Sequence, residues 1–138
     1  MEEQTIFEII HNMDKVTNHL IIKWNKMFDQ DLGISHILVL AHLRDSGRSR
    51  PSDIAKALGL TPATLTHLSG KLSRKRLIVR AADEDDRRIV YLEITPDGLE
   101  MLRRADLEGR RLRGRLFERL NDEEKRQLLA IFAKLSAE

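Results

Sequence analysis

The 138-residue chain contains no cysteine. That excludes a disulfide framework, a thiol nucleophile, a cysteine redox sensor and a Cys-ligated zinc, and it fits a reducing cytoplasm, the expected location. There is no apolar run long enough to span a bilayer, and Met1–Asn12 lacks the basic and apolar regions of a signal peptide. No membrane partner is therefore expected. A Gly-rich phosphate loop, a metal-spaced histidine cluster and a nucleophile–base pair are all missing, which argues against an enzyme and against any cofactor or metal. His11 and His19 stand too far apart for one helical turn to ligate a metal, and no histidine follows His67. Repeats and low-complexity segments are also absent.

What is present is an uneven charge distribution under a net charge of only +2. Arg44–Arg80 holds nine basic residues against two acidic ones, whereas Met1–Asp31 holds three against six. A basic middle in a nearly neutral chain is the footprint of phosphate contacts; the competing reading is chance clustering of solvated charge.

The centre of that basic region is Thr61–Arg76, TPATLTHLSGKLSRKR. Thr61 is a good N-cap and Pro62 suits the first helical position. Leu65, Leu68 and Leu72 recur at helical spacing. The remaining surface carries Thr64, Thr66, His67, Lys71, Arg74 and Lys75, with no acid in the stretch. A helix with one apolar edge and an acid-free polar face suits a polyanion, and the expectation is a recognition helix in a DNA major groove.

The flanks support this. Thr5–Phe28 reads as a long helix with two offset apolar stripes, Ile6, Ile9, Met13, Val16, Leu20, Trp24 and Met27 against Phe7, Ile10, Ile21 and Phe28. Two such faces imply burial on more than one side, hence a subunit interface or a central helix wrapped by its own chain. Ser35 is expected to cap a second helix that ends at Ser46-Gly47. Pro51 opens a third with Ile54, Ala55 and Leu58 inward, and Gly59 supplies a turn that needs φ > 0. Helix, glycine turn and capped basic helix form a helix-turn-helix pattern. Leu77–Val79 and Ile89–Ile94 then read as two strands joined by the loop Ala81–Arg88, AADEDDRR, with Val90, Leu92 and Ile94 sharing a face. Arg87 and Arg88 at such a tip suit a narrow minor groove, where negative potential is enhanced. The loop's four acids would repel DNA unless one turns back to hold an arginine, and Asp86 is the candidate. Thr95-Pro96 starts a long helix with apolar positions Leu99, Leu102, Leu107, Leu112, Leu116 and Leu120 interleaved with arginines that pair with Glu100, Asp106, Glu108 and Glu118. Asn121 and Glu124 make a capping-box start for a last helix.

With the hairpin in place, the chain resembles the MarR family of bacterial winged helix-turn-helix regulators. The resemblance rests on Ser52-Asp53-Ile54-Ala55…Leu58-Gly59-Leu60-Thr61, on Thr64-Leu65-Thr66, and on Asp83…Asp86-Arg87-Arg88 followed by Leu92-Glu93-Ile94-Thr95…Gly98. It implies a mostly α fold with a small β-hairpin wing (α+β), with a DNA-binding lobe at 35–95 and a helical dimerisation region at 1–30 and 96–138, all in one domain. Arg88 matches the family's wing-tip arginine and Asp86 the acid that holds it. His67 stands where many members carry arginine, and Arg76 where glycine is usual, so a less sharply ended recognition helix is expected.

The expected function is a transcriptional regulator, a repressor, that binds a near-palindromic duplex as a homodimer. Arg50, Lys71, Arg74 and Lys75 would meet phosphate. Pro62, Thr64, Thr66 and His67 would lie at base edges or nearby phosphates, and Asp86, Arg87 and Arg88 would form the wing contact. The resemblance also implies release by a small-molecule effector, in a cleft lined by His19, Trp24, His36 and His42. The alternative is a winged helix that contacts protein rather than DNA.

Overall fold

All three prolines of the chain open helices. In the computed structural model, which describes residues 2–28 and 31–137, the elements are α1 (Glu2–Met27), α2 (Ile34–Ser46), α3 (Pro51–Leu58), α4 (Pro62–Arg74), β1 (Ile78–Ala82), β2 (Val90–Ile94), α5 (Pro96–Phe117) and α6 (Asp122–Ser136). Pro51, Pro62 and Pro96 each occupy the first turn, where a missing N–H costs nothing. Thr61 and Thr95 cap α4 and α5 by accepting from the Thr64 and Gly98 amides, and Asn121 and Glu124 form the expected capping box of α6. Met1, Asp29, Gln30 and Glu138 lie outside the described residues, so the ends of the expected dimerisation segments, and the Asp29 counted in the N-terminal charge, do too.

The core lies where α2, α3, α4 and the hairpin converge. Its innermost side chains are Val39, Leu40, Leu43, Ile54, Leu65, Leu72, Ile78 and Leu92. Trp24 and Phe28 stack on each other with ring centroids 4.7 Å apart and join this cluster from α1. The strands pair antiparallel from Ile78↔Ile94 to Ala82↔Val90. An isolated bridge, Ser49↔Leu92, adds a third edge and fastens the hairpin to the α2–α3 connection.

Several expectations need correction. α1 starts at Glu2, and along it Trp24 alone is buried; Ile6, Phe7, Ile9, Ile10, Met13 and Val16 are exposed. The chain therefore does not wrap its own first helix. α2 starts at Ile34, with Gly33 rather than Ser35 at the cap, because the Gly33 amide donates to His36 Nδ1 at 3.1 Å. The first strand begins at Ile78 and runs on through Ala81 and Ala82, since the pairing register rather than apolar character decides its length. On α5 the buried line is Gly98, Leu102, Ala105, Gly109 and Leu112, while Leu99 and Leu107 face out. Small residues share that face with Leu102 and Leu112, and a Cβ on Gly109 would meet the Trp24 ring at an ordinary contact distance of 3.6 Å.

The end of α4 also departs from expectation. Arg76 adopts φ 62°, the Leu77 amide donates to Leu72 O at 3.0 Å and the Arg76 amide to Ser73 O at 3.0 Å. This pair of bonds is the Schellman closure, so the helix ends sharply although arginine replaces the usual glycine. The left-handed conformation costs a non-glycine residue on the order of 1 kcal/mol or more. Arg76→Gly should raise stability by about 1 kcal/mol, seen as a higher urea midpoint with an unchanged slope. Gly98 has the opposite sensitivity. A Cβ there would drive into the Leu77 carbonyl oxygen and the Ile94 side chain. Gly98→Ala should therefore lower stability by about 1–3 kcal/mol in the same unfolding assay.

Candidate nucleic-acid interface

α4 divides by face as its sequence requires. Leu65, Leu68, Ser69 and Leu72 are buried against the core, which leaves Pro62, Thr64, Thr66, His67, Arg74 and Lys75 exposed. Gly59, in the left-handed region at φ 66°, turns α3 into this helix, and the Leu60 amide donates to Ala55 O at 2.8 Å. Buried Ala55 leaves room for the close approach.

The polar side chains are partly preset. Thr61 Oγ1 donates to Thr64 Oγ1 at 2.8 Å, and Thr66 Oγ1 donates to Pro62 O at 2.9 Å. Thr66 is thus left as an acceptor, whereas the Thr64 hydroxyl still has its proton to give. Among the described residues Arg74 and Lys75 form no ion pair. Lys71 differs from the expected open phosphate ligand: its side chain is 26% exposed, and Nζ lies 3.0 Å from Asp31 Oδ2.

The wing tip is built by carboxylates acting on neighbours in the same loop. Asp83 Oδ2 accepts from the Asp85 and Asp86 amides, each at 3.1 Å. The Asp83 amide donates to Ile89 O at 2.9 Å and the Ile89 amide to Asp86 O at 3.0 Å. Asp86 grips Arg88 with both oxygens: Oδ1 accepts from the Arg88 amide and Nε at 3.0 Å, and Oδ2 accepts from Nη2 at 3.1 Å. The pairing anticipated from composition is present. It leaves the Arg88 side chain 91% exposed, held in one direction by a two-pronged contact. Two of the four loop acids are thereby committed internally, which disfavours a cation site there. Arg87 is exposed beside the clamp. Arg50, at the cap of α3, shares with Arg88 and Ser52 a surface hollow of about 360 Å³.

Sequence reasoning missed three features here. Arg48 lies over the Tyr91 ring, 4.3 Å from its centroid, and reaches Glu93 at 4.0 Å; this braces the base of the hairpin. The Ser49↔Leu92 bridge involves one residue pair and so has no periodicity to detect. The Asp31–Lys71 pair joins segments 40 positions apart, and no local pattern announces it.

The four residues expected to line one effector cleft separate. Trp24 does line a cavity of about 460 Å³ between α1, α2 and α5, with Ile37, Ala41, Leu102, Gly109 and Arg113. Its indole Nε1 is buried with no hydrogen-bond partner among the described residues. His36 is not in that cavity: its Nδ1 accepts from the Gly33 amide, and its Nε2 is buried with no partner among the described residues; burial pushes its pKa down, assisted by Lys71 and His67. His42 is half-buried and lines none of the cavities described here. His19 belongs to a different groove, between α1 and α5.

The Arg88 side chain, then its backbone amide, then the charge of Arg50 hold the Asp86 carboxyl below its ordinary 3.8. The folded group binds its proton less readily than the unfolded one. Its contribution to wing order is therefore complete above the ordinary value and lost as pH falls through the lowered one. In a carbon-detected NMR titration the Asp86 carboxyl should titrate below 3.8, and Arg88→Ala should return it towards that value.

Comparison with known proteins agrees with this architecture. The model of the MarR family matches residues 32–90. The HTH-type transcriptional repressor MdtR of Bacillus subtilis is 32% identical over 111 residues, covering 80% of this chain and 71% of that protein. Among solved structures, YusO of Bacillus subtilis superposes with a TM-score of 0.79 at 25% identity, covering 99% of this chain and 97% of that one. BpsR of Bordetella bronchiseptica, solved in a study of how 6-hydroxynicotinic acid regulates its DNA binding, gives a TM-score of 0.75 at 24% identity, covering 94% and 99%. The MdtR match and the MarR model, together with the hairpin wing and the capped basic helix, show that the chain belongs to the MarR family of transcriptional regulators, not to a family of enzymes.

Proposed function

We propose that this regulator is a repressor that binds a near-palindromic duplex as a homodimer and leaves it when a small molecule binds. The observation that carries the reading is the Asp86–Arg88 clamp. It aims one fully presented guanidinium outward from a hairpin tip, next to a recognition helix whose exposed face has no acid. In this reading residues 35–95 form the DNA-binding lobe. Arg50, Arg74 and Lys75 meet phosphates, with Lys71 joining them on leaving Asp31. Thr64, Thr66 and His67 lie along the major groove beside Pro62. Arg87 and Arg88 enter the minor groove, with Asp86 as their support.

Residues 1–30 and 96–138 form the dimerisation region. The support is apolar surface that one chain leaves open: Ile6, Phe7, Ile9 and Ile10 on α1, and Leu129, Ile131, Phe132 and Leu135 on α6. Nothing on α6 is buried in the single chain, and patches of this kind mark interfaces. A two-fold pair would set half-site centres about 34 Å apart. MdtR, named a repressor, and BpsR, whose DNA binding answers to 6-hydroxynicotinic acid, support repression and effector release. The Trp24-lined cavity between α1, α2 and α5 is the place for such an effector, and the cytoplasm, with its duplex DNA, the place of action.

Selection of bound sequences from a random duplex pool tests the reading directly; a pool that stays unenriched would sink it and leave a protein-contact module. On a selected site, Arg88→Ala should weaken binding about tenfold, most where the flanking minor groove is narrow. Affinity should fall steeply with salt, by a log–log slope of about 0.9 per phosphate contacted. In sedimentation the protein should run at twice its 16.0 kDa chain mass, and Phe7→Glu with Leu129→Glu should shift it towards the single chain.

A further inference from the structure

A second groove, of about 440 Å³, lies between α1 and the end of α5, next to the Trp24 cavity. Its rim carries His19, Lys23 and Lys26 from α1, Arg115 from α5 and Arg119 just after it, and none of the residues lining it is acidic. None of these five side chains forms a hydrogen bond or ion pair among the described residues. On α5, Arg103, Arg110 and Arg111 are paired with Glu100, Asp106 and Glu108, whereas the groove offers its cations no acid. The floor is apolar, made by Leu20, Leu112 and Leu116. Nothing from α3, α4 or the hairpin lines it.

We propose that this groove binds a small organic anion that carries two or more negative charges on an apolar body. A cleft walled by one sign of charge concentrates the opposite sign, and Lys23, Lys26, Arg115 and Arg119 over one apolar floor repel one another until an anion sits between them. The apolar floor selects against a bare inorganic ion, and the size suits a small metabolite. The site does not depend on where DNA binds, and it shares only Leu20 and Leu112 with the cavity given above to an effector.

The test uses the full chain and three probes, followed by calorimetry: 1-naphthyl phosphate, 1-naphthol and inorganic phosphate. The phosphate ester should bind at least about tenfold more tightly than either fragment. Lys26→Ala with Arg119→Ala should weaken it about tenfold, while Lys26→Arg with Arg119→Lys, which keeps both charges, should restore most of the affinity. Ile37→Phe, in the neighbouring cavity, should leave it unchanged. Equal binding of 1-naphthol, equal binding of inorganic phosphate, or an alanine pair that binds like the native protein would each overturn the site. So would failure of the native protein to bind the ester while the alanine pair loses self-association, since the groove would then be a contact for a second copy.

Discussion

The carbonyl of Leu77 is the point on which the DNA-facing geometry turns. Leu77 closes α4 by donating its amide to Leu72. Its carbonyl accepts from the Thr95 amide at 3.0 Å and lies directly beneath Gly98. Thr95 in turn donates its hydroxyl to Arg76 O at 2.8 Å and caps α5. The end of the recognition helix, the base of the wing and the start of the long helix are thus one joint. The joint works only because Gly98 has no side chain to hold the backbones apart.

The wing shows how a loop with four acids becomes a cationic tip. Coulomb repulsion would keep such a loop away from a polyanion if all four carboxylates pointed outward. Asp83 instead turns inward to the amides of Asp85 and Asp86, and Asp86 binds Arg88 on two prongs. The acids act as a scaffold and the arginine as the presented group. Preorganisation of this kind spares the ordering cost that a free arginine would meet on binding.

The single chain is built unevenly. Its apolar interior is concentrated in the α2–α4 and hairpin region, with Trp24 and Phe28 closing one side. α1 before Leu20 and all of α6 contribute almost nothing to it. Charge is also uneven along α5, where Arg103, Arg110 and Arg111 are paired within the helix and Arg115 is not.

Local chemistry alone determined much of this protein. Proline and threonine at helix starts, Gly59 at the turn and the Leu65–Leu68–Leu72 stripe are short-range signals, and they placed α3, α4 and the second wing strand within a residue or two, while the first strand ran three residues further. The Asp86–Arg88 pair was legible because it spans two residues of one loop. Tertiary structure decided the rest, wherever a partner arrives from far along the chain. Ser35 lost its cap to a glycine backed by His36, and Gly98, Ala105 and Gly109 joined Leu102 and Leu112 on the buried face of α5. Lys71 was claimed by Asp31, and the four presumed pocket residues went to four different surroundings. Spacing within a segment reports which side chains share a face; it carries no information about what that face meets.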